Sequence, residues 1–359
     1  MDEQSFLDEI CSHPDDDTPR LIYADWLEEQ GNARGEFIRV QCEMATLKKT
    51  QVRYRELVKR EQMLLFRHQA EWLSAFPLSV RRHVFRRGFV EECAVAVSYF
   101  LRNWEKLLRL TPLRHVTFTM VKDQLPLLAE IPGLAKLESV EFKKQDRHHG
   151  IVEFARSPYL HGLKKINNSQ WTSEGLLALA ASPYTTTLTE LEFPYCRFQR
   201  DAIEAITKSP GLAGLQRLII PGTLTESVFP LFANATFAHG LQELNVHQMC
   251  LQDSDLSLLA SGSQLKNLSI LRANNTSVGE GVRGSGLIDL AHSPQLANLR
   301  QLVMQEHPLS YESLVALGES QYRTKGARFF LGGNRWNSPL NARQIRDIQT
   351  RFGKSFGNL

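Results

Sequence analysis

The sequence predicts an α/β repeat solenoid: a horseshoe with a parallel sheet on its concave side, helices on its outer side and an N-terminal α-helical module. Three observations predict it. An apolar spacing recurs over most of the chain, a proline recurs in fixed phase with that spacing, and residues 1–80 carry neither.

The spacing is an apolar residue, two others, an apolar residue, one other and an apolar residue. It reads Leu113/Val116/Phe118, Leu137/Val140/Phe142, Leu163/Ile166/Asn168 and Leu188/Leu191/Phe193. It continues as Leu215/Leu218/Ile220, Leu241/Leu244/Val246, Leu268/Leu271/Ala273 and Leu299/Leu302/Met304, with a ninth copy at Phe329 and Leu331. Copies lie roughly 24 to 31 residues apart, the period of a stacked supersecondary unit. Pro132, Pro158, Pro183, Pro210 and Pro294 each fall five residues before the opening leucine, and four of them follow a serine. Helix-like runs such as GLLALAA and AIEAITK precede them. Proline cannot continue a helix and fixes the turn toward the next strand. Each unit therefore reads strand, turn, helix, proline turn.

These residues resemble the leucine-rich repeat family, L-x-x-L-x-L-x-x-N/C-x-L. In LTELEFPYCRF, Cys196 holds the Asn/Cys position and Phe198 the apolar position after it. Asn334 and Trp336 do so in the last copy, whereas Thr223, Thr276, Met249 and His307 occupy the position elsewhere. The side-chain ladder at that turn is thus only partly present, which predicts irregular coils. One unit cannot bury its apolar face alone, so neighbours must stack. Side chains alternate along a strand, so the residues between the leucines face outward: Thr117, Glu141, Asn167, Glu192, Ile219, Asn245, Arg272 and Val303. This mixed row fits a protein-binding face rather than a polyanion track. The candidate partner-binding residues are Glu141, Asn167, Glu192, Ile219, Asn245, His247 and Arg272.

Residues 1–80 read as helices: a short one in SFLDEICS, one from Arg20 to Gln30 behind a Thr18-Pro19 cap, one from Ala33, and a charged one from Tyr54 to Phe76. Leu21, Ile22, Ala24, Trp26 and Leu27 make the second apolar on more than one side, so it is expected at the module's centre. HPDDDTPRLIYADWLEEQGNARGEFIRVQ closely resembles the repeat-companion domain, a short bacterial module found ahead of repeat arrays. The match covers roughly residues 4–47, and RRGFVEE and IQTRFGKSF also resemble segments of such proteins. The resemblance implies an interaction scaffold and no reaction. Its structural residues are Asp15, Asp16, Asp17, Asp25, Trp26, Arg34 and Glu36.

Consecutive aspartates suggest a cation, but DDD before Thr-Pro lacks the alternating acids of a calcium loop. Helix N-terminus chemistry explains Asp15, Asp16 and Asp17 better. Asp25, inside an apolar helix, needs a partner, which Arg20, Arg34 or Arg39 could supply. Residues 1–36 carry about nine more acids than bases and residues 37–115 about nine more bases than acids, a pattern of segments facing each other. The basic run RRHVFRRGF is accordingly expected to dock the acidic helices rather than bind nucleic acid. KKQDRHH, Lys143 to His149, reads as a surface loop, and His247 as a residue beside a strand on the ligand side.

The net charge of +3 implies no polyanion partner, and five scattered cysteines without C-x-x-C favour a reducing compartment and no zinc site. No signal peptide, membrane span or cofactor fingerprint is read. The domains expected are a module at 1–80, a junction with the first capping strand and helix at 81–112, leucine-rich repeats at 113–325, and the last repeat with a C-terminal cap at 326–359. The expected function is a non-enzymatic, monomeric, cytoplasmic scaffold that binds another protein on its concave face, with no cofactor or metal and no nucleic acid. The alternative makes the N-terminal module a metal-dependent or hydrolytic domain whose substrate the repeats recruit.

Overall fold

The computed structural model describes residues 2–143, 149–222, 227–262, 264–274, 281–331 and 340–356. Thr223, Thr276, Asn334, Trp336 and the stretch 144–148 within KKQDRHH lie outside them. The chain divides into two compact units, residues 1–146 and 147–359.

The first unit opens with helices α1 (Glu3–Ser12), α2 (Thr18–Glu29), α3 (Ala33–Thr46) and α4 (Val52–Trp72). Asp2 caps α1 and Asn32 caps α3, each side chain accepting a backbone N–H. Thr18 is not the cap of α2 as expected. The helix begins at Thr18, Asp17 stands before it, and Asp16 Oδ1 accepts the Thr18 N–H at 2.8 Å. The buried face of α2 also differs from expectation. Arg20, Tyr23, Ala24 and Leu27 are buried, at helical spacing, whereas Ile22 is 52% exposed. Two small cores result. Phe6, Ile10, Tyr23, Leu27 and Ile38 surround Phe89, while Phe37, Val40, Leu57, Leu64 and Trp72 form the other.

Strands β1 (Val80–Arg86) and β2 (Phe89–Ala96) follow as a hairpin. Its two-residue loop, Arg87-Gly88, has φ of 48° and 85°, the left-handed pair that matches strand twist. Helix α5 (Val97–Leu110), β3 (His115–Thr119), α6 (Leu125–Ala129) and β4 (Ser139–Phe142) complete the unit. β2, β3 and β4 are parallel in register, with Cys93, Val116 and Val140 side by side.

The second unit repeats one coil. Its strands are β5 (Lys165–Asn168), β6 (Glu190–Glu192), β7 (Arg217–Ile219), β8 (Glu243–Asn245), β9 (Ile270–Arg272), β10 (Gln301–Val303) and β11 (Arg328–Phe330). They pair in chain order, all parallel, with Ile166, Leu191, Leu218, Leu244, Leu271, Leu302 and Phe329 in one row. Interleaved are α7 (Ile151–Ala155), α8 (Ser173–Ala181), α9 (Arg200–Lys208), α10 (Phe229–Ala233), α11 (Asp253–Ala260), α12 (Ser285–Ala291) and α13 (Tyr311–Glu319); α14 (Ala342–Phe352) follows the last strand. This is the strand–turn–helix coil that the leucine-rich repeat resemblance implies. Every residue of the apolar spacing, from Leu113 to Leu331, is at most 3% exposed. Burying each Leu, Val, Ile, Phe or Met of the pattern stabilises by about 1.5–3 kcal/mol. Past the last strand, Phe356 is fully buried with its ring 5.9 Å from that of Phe329.

The prolines begin short 3-10 turns at Pro132, Pro158, Pro210 and Pro294. Two of the serines before them, Ser209 and Ser293, have a role that the spacing alone did not reveal. Ser209 Oγ donates to Ala180 O at 2.7 Å, and Ser293 Oγ to Ala260 O at 2.6 Å. Ser320 makes the same bond to Ala291 O in the last coil. Each hydroxyl satisfies a carbonyl at the helix end of the preceding coil, where no intrahelical partner exists.

Candidate functional site

Two constellations collect the sequence-predicted residues, one in each unit. In the first, the residues of the N-terminal motif converge on the β1–β2 hairpin. Arg20 is fully buried and donates to Glu91 Oε1 at 3.0 Å and to Pro14 O at 2.7 Å. Glu91 is 2% exposed and also faces Arg87 at 3.5 Å. Burial lowers the Arg20 pKa and raises that of Glu91, because low dielectric disfavours both charges, while each partner pulls the other back toward ionisation. Arg20 and Arg34 lie over the Phe89 ring, 5.3 and 5.1 Å from its centroid. Trp26 stacks on Tyr23 at 5.9 Å, and the Tyr23 hydroxyl donates to Glu3 at 2.7 Å. Gln41 accepts the Gly88 N–H at 2.7 Å and donates to Glu61 at 2.6 Å. Gly35 lets α3 approach α2; a Cβ there would sit 2.5 Å from Ala24 O.

The aspartates are paired off individually. Asp15 meets Arg114 at 2.7 Å, Asp16 caps Thr18, and Asp17 lies 3.5 Å from Arg87 and 3.9 Å from Arg20. Asp25 is not buried as expected. It is exposed, and it pairs with Arg39, which also bonds Glu28 at 3.2 Å. Glu36 pairs with Arg60 on α4. Among the described residues, no three His, Cys, Asp or Glu side chains are placed to hold a metal ion. The basic run engages acids: Arg86 meets Glu92 at 3.3 Å, and Arg87 meets Asp17 and Glu91. The burial of Arg20 and its pairing with Glu91 were not read from the sequence. The signal was the position of Arg20 on the face shared with Tyr23, Ala24 and Leu27.

The second constellation is the strand side of the second unit. Lys165 reaches Glu190 at 3.2 Å and Glu192 at 2.6 Å. Arg217 pairs with Glu192, Glu190 and Glu243, and Arg272 lies 3.4 Å from Glu243. Like and unlike charges on adjacent strands thus alternate and neutralise one another. Glu192 is therefore not the open contact residue expected. It is 8% exposed and accepts from Lys165, from Asn167 at 3.0 Å and from Arg217. Val303, also in the outward row, is 9% exposed. Asn167, Ile219, Asn245, His247 and Arg272 are half-buried. Glu141, in the first unit, is half-buried beside Lys143 at 3.2 Å.

Over the C-terminal ends of β6 to β10 lies an open groove of about 580 Å³. Ile219, Asn245, His247 and Arg272 from the predicted set line it; Tyr195, Arg197, Gln248, Asn274 and Gln305, which strand alternation did not pick out, line it too. Tyr195 and Gln248 occupy the third position after the central strand residue, with φ of 68° and 64°. That left-handed turn recurs at Glu306 and throws the side chain outward; Tyr195 is 79% exposed. The next residue turns inward. Cys196 Sγ accepts from Trp171 N–H at 3.2 Å, and the buried His307 accepts from Val282 N–H at 3.1 Å while its other ring nitrogen donates to Ala273 O at 2.6 Å. Cysteine and histidine thus fill the ladder position with the same backbone-satisfying bonds. Burial holds the His247 and His307 pKa values below the ordinary histidine range.

A smaller hollow of about 410 Å³ on the helix side is lined by Val152, Leu177 and Pro183, among others. Among the described residues, no helix is long and apolar enough to cross a membrane.

No family model matches the chain, and no curated protein is similar to it. Solved structures similar to it include an internalin from Listeria monocytogenes, at 16% identity and TM-score 0.39, over 67% of this chain and 66% of that one. A protein from Bacteroides fragilis is similar at 12% identity and TM-score 0.37, over 80% of this chain and 85% of its own. Human 5T4, a trophoblast glycoprotein, is similar at 15% identity and TM-score 0.36, over 68% of this chain and 77% of its own.

Proposed function

We propose that this chain is a non-enzymatic scaffold that binds another protein across the strand side of its second unit, with the groove over β6–β10 as the centre of contact. The observation that carries this reading is the groove itself. It joins the half-buried apolar Ile219 to a rim of amides, a histidine and arginines, all fixed on strand ends or tight turns. Side chains held by the backbone lose little freedom on binding. An apolar centre inside a polar rim is the arrangement in which a few anchors dominate affinity. The self-neutralised charges of β5–β8 form a rigid floor beside it and are poor candidates for attracting a charged partner.

The N-terminal helices act in this reading as a cap. They present Phe6, Tyr23, Leu27 and Ile38 to Phe89 of β2, which begins the first coil. Residues 1–80 thus serve as the repeat-companion module, 81–112 as the junction, 113–325 as the repeats and 326–359 as the closing coil. The five free thiols fit a reducing compartment such as the cytoplasm, and the scaffold is read as a monomer. The alternative, a metal-dependent N-terminal module, would need Asp15, Asp17 and Asp25 to share one open cleft; each has its own arginine.

The test is capture by the full chain, followed by substitution. Ile219→Arg and Arg272→Glu should each weaken binding of the recovered protein by roughly tenfold or more, about 1.4 kcal/mol, with circular dichroism unchanged. Equal binding by both variants would refute the strand-side site.

A further inference from the structure

We infer that the occupant of this groove is an acidic peptide segment of the partner protein. This rests on the reading of the strand side as the binding side and names the chemistry that side selects. Two arginines and a histidine line the groove, and no aspartate or glutamate does so among the described residues. On the neighbouring strands Lys165 and Arg217 each have a carboxylate within 3.2 Å, and Arg272, at the groove, shares Glu243 at 3.4 Å. Arg197 is the exception that matters. It is exposed, lines the groove, and makes no ion pair or side-chain hydrogen bond among the described residues. A guanidinium presents a planar fork of donors that matches a carboxylate in a two-bond contact.

The remaining lining suits a peptide rather than a bare anion. Asn274 Nδ2 donates to Gln305 Oε1 at 2.9 Å, and Gln305 N–H returns a bond to Asn274 Oδ1 at 2.9 Å. That pairing fixes both amides and leaves the side-chain nitrogen of Gln305, a groove-lining residue, as a donor that no described group occupies, suited to a main-chain carbonyl. Tyr195 stands at one end, 79% exposed on its left-handed turn, as a flat surface for a side chain of the peptide. Ile219 supplies the apolar floor. Acidic side chains flanking one apolar residue would meet the unpaired Arg197 on one side of Ile219 and Arg272, which Glu243 partly satisfies, on the other.

The experiment is fluorescence anisotropy of the full chain at 150 mM salt. The probe is a labelled ten-residue peptide of alternating Glu and Asp around one central Leu; a peptide with Lys at the acidic positions is the control. The acidic peptide should bind saturably and the basic one should not. Arg197→Glu should weaken binding at least tenfold, whereas Arg55→Glu, an exposed arginine on α4 in the other unit, should leave it within twofold. Equal loss with both variants would mean attraction by net charge alone and would overturn the inference. So would stronger binding of a labelled oligothymidylate, which would assign the groove to nucleic acid. If Ile219→Arg abolishes partner capture while Arg197→Glu affects neither capture nor the acidic peptide, the scaffold reading stands and the acidic class falls. If none of these substitutions alters capture, the strand-side reading falls with it.

Discussion

Replacing Arg20 by methionine should destabilise the first unit by about 3 kcal/mol. The side chain is fully buried, its partner Glu91 is 2% exposed, and the two meet at 3.0 Å. Removing one member of a buried pair strands the other charge, at a cost of about 3–5 kcal/mol. Arg87, 3.5 Å from Glu91, still offers compensation and places the expectation at the lower end. Arg34 also lies over Phe89, 5.1 Å from its centroid, so the ring keeps a cation and the total stays near that lower end. Replacing both members, Arg20→Met with Glu91→Leu, should recover most of the loss, because no charge is left buried. The pH dependence has a definite sign. Burial already raises the Glu91 pKa, and Arg20 is its largest opposing influence. Without Arg20 the folded-state value rises further above the unfolded one. The stability linked to that raised value is present at low pH and lost as pH rises through it. The Arg20→Met deficit should therefore shrink from pH 7.5 to pH 5. Urea titrations of the full chain, followed by far-ultraviolet circular dichroism and tryptophan fluorescence, give the midpoints. A single-variant cost below about 1 kcal/mol, or a double variant as damaged as the sum of the singles, would refute the reasoning.

Leu191→Asp places a carboxylate at a fully buried position between Ile166 and Leu218, so the unfolding midpoint of the second unit should fall sharply, by about 3 kcal/mol or more. An unchanged midpoint would put the inward register in error. Deleting residues 1–80 should leave a poorly soluble chain, because it uncovers Phe89 and its neighbours; a monomer of residues 81–359 with native-like circular dichroism would count against the capping role. His307 is kept neutral by burial, its folded-state pKa below the unfolded value. Stability of the second unit should therefore decline as pH falls from about 6.5. Urea titrations at pH 7.5 and 5.5 should show a smaller decline for His307→Gln, and an identical decline would exclude His307 as a source.

The coils were legible because their signal is covalent spacing: each leucine of the pattern must enter the same core, and each does. The serine before the proline was visible as a letter, but its bond to the preceding coil needs the stacking distance, which spacing does not supply. Strand alternation placed Glu192 outward, which is true of the backbone. The side chain is covered because β5 and β7 bring Lys165 and Arg217 beside it. In the N-terminal helix, apolar residues on several sides hide the phase, so the sequence offers Arg20, Arg34 and Arg39 alike as partners for Asp25; Arg39 is the one, and Arg20 is buried elsewhere. Its true partner lies in the hairpin, 71 residues later. The groove was half legible. Ile219, Asn245, His247 and Arg272 follow from the strand pattern, whereas Tyr195, Gln248 and Arg197 line it only because the turns after the strands carry them there.

The most direct test of the central claim compares the two sides of one coil array. Isothermal titration of the captured partner against Ile219→Arg, on the strand side, and Leu177→Arg, at the helix-side hollow, reads both in one assay. Ile219→Arg should lose at least tenfold in affinity, and Leu177→Arg should bind like the wild type. Wild-type binding by Ile219→Arg together with loss in Leu177→Arg would place the partner on the helices and contradict it.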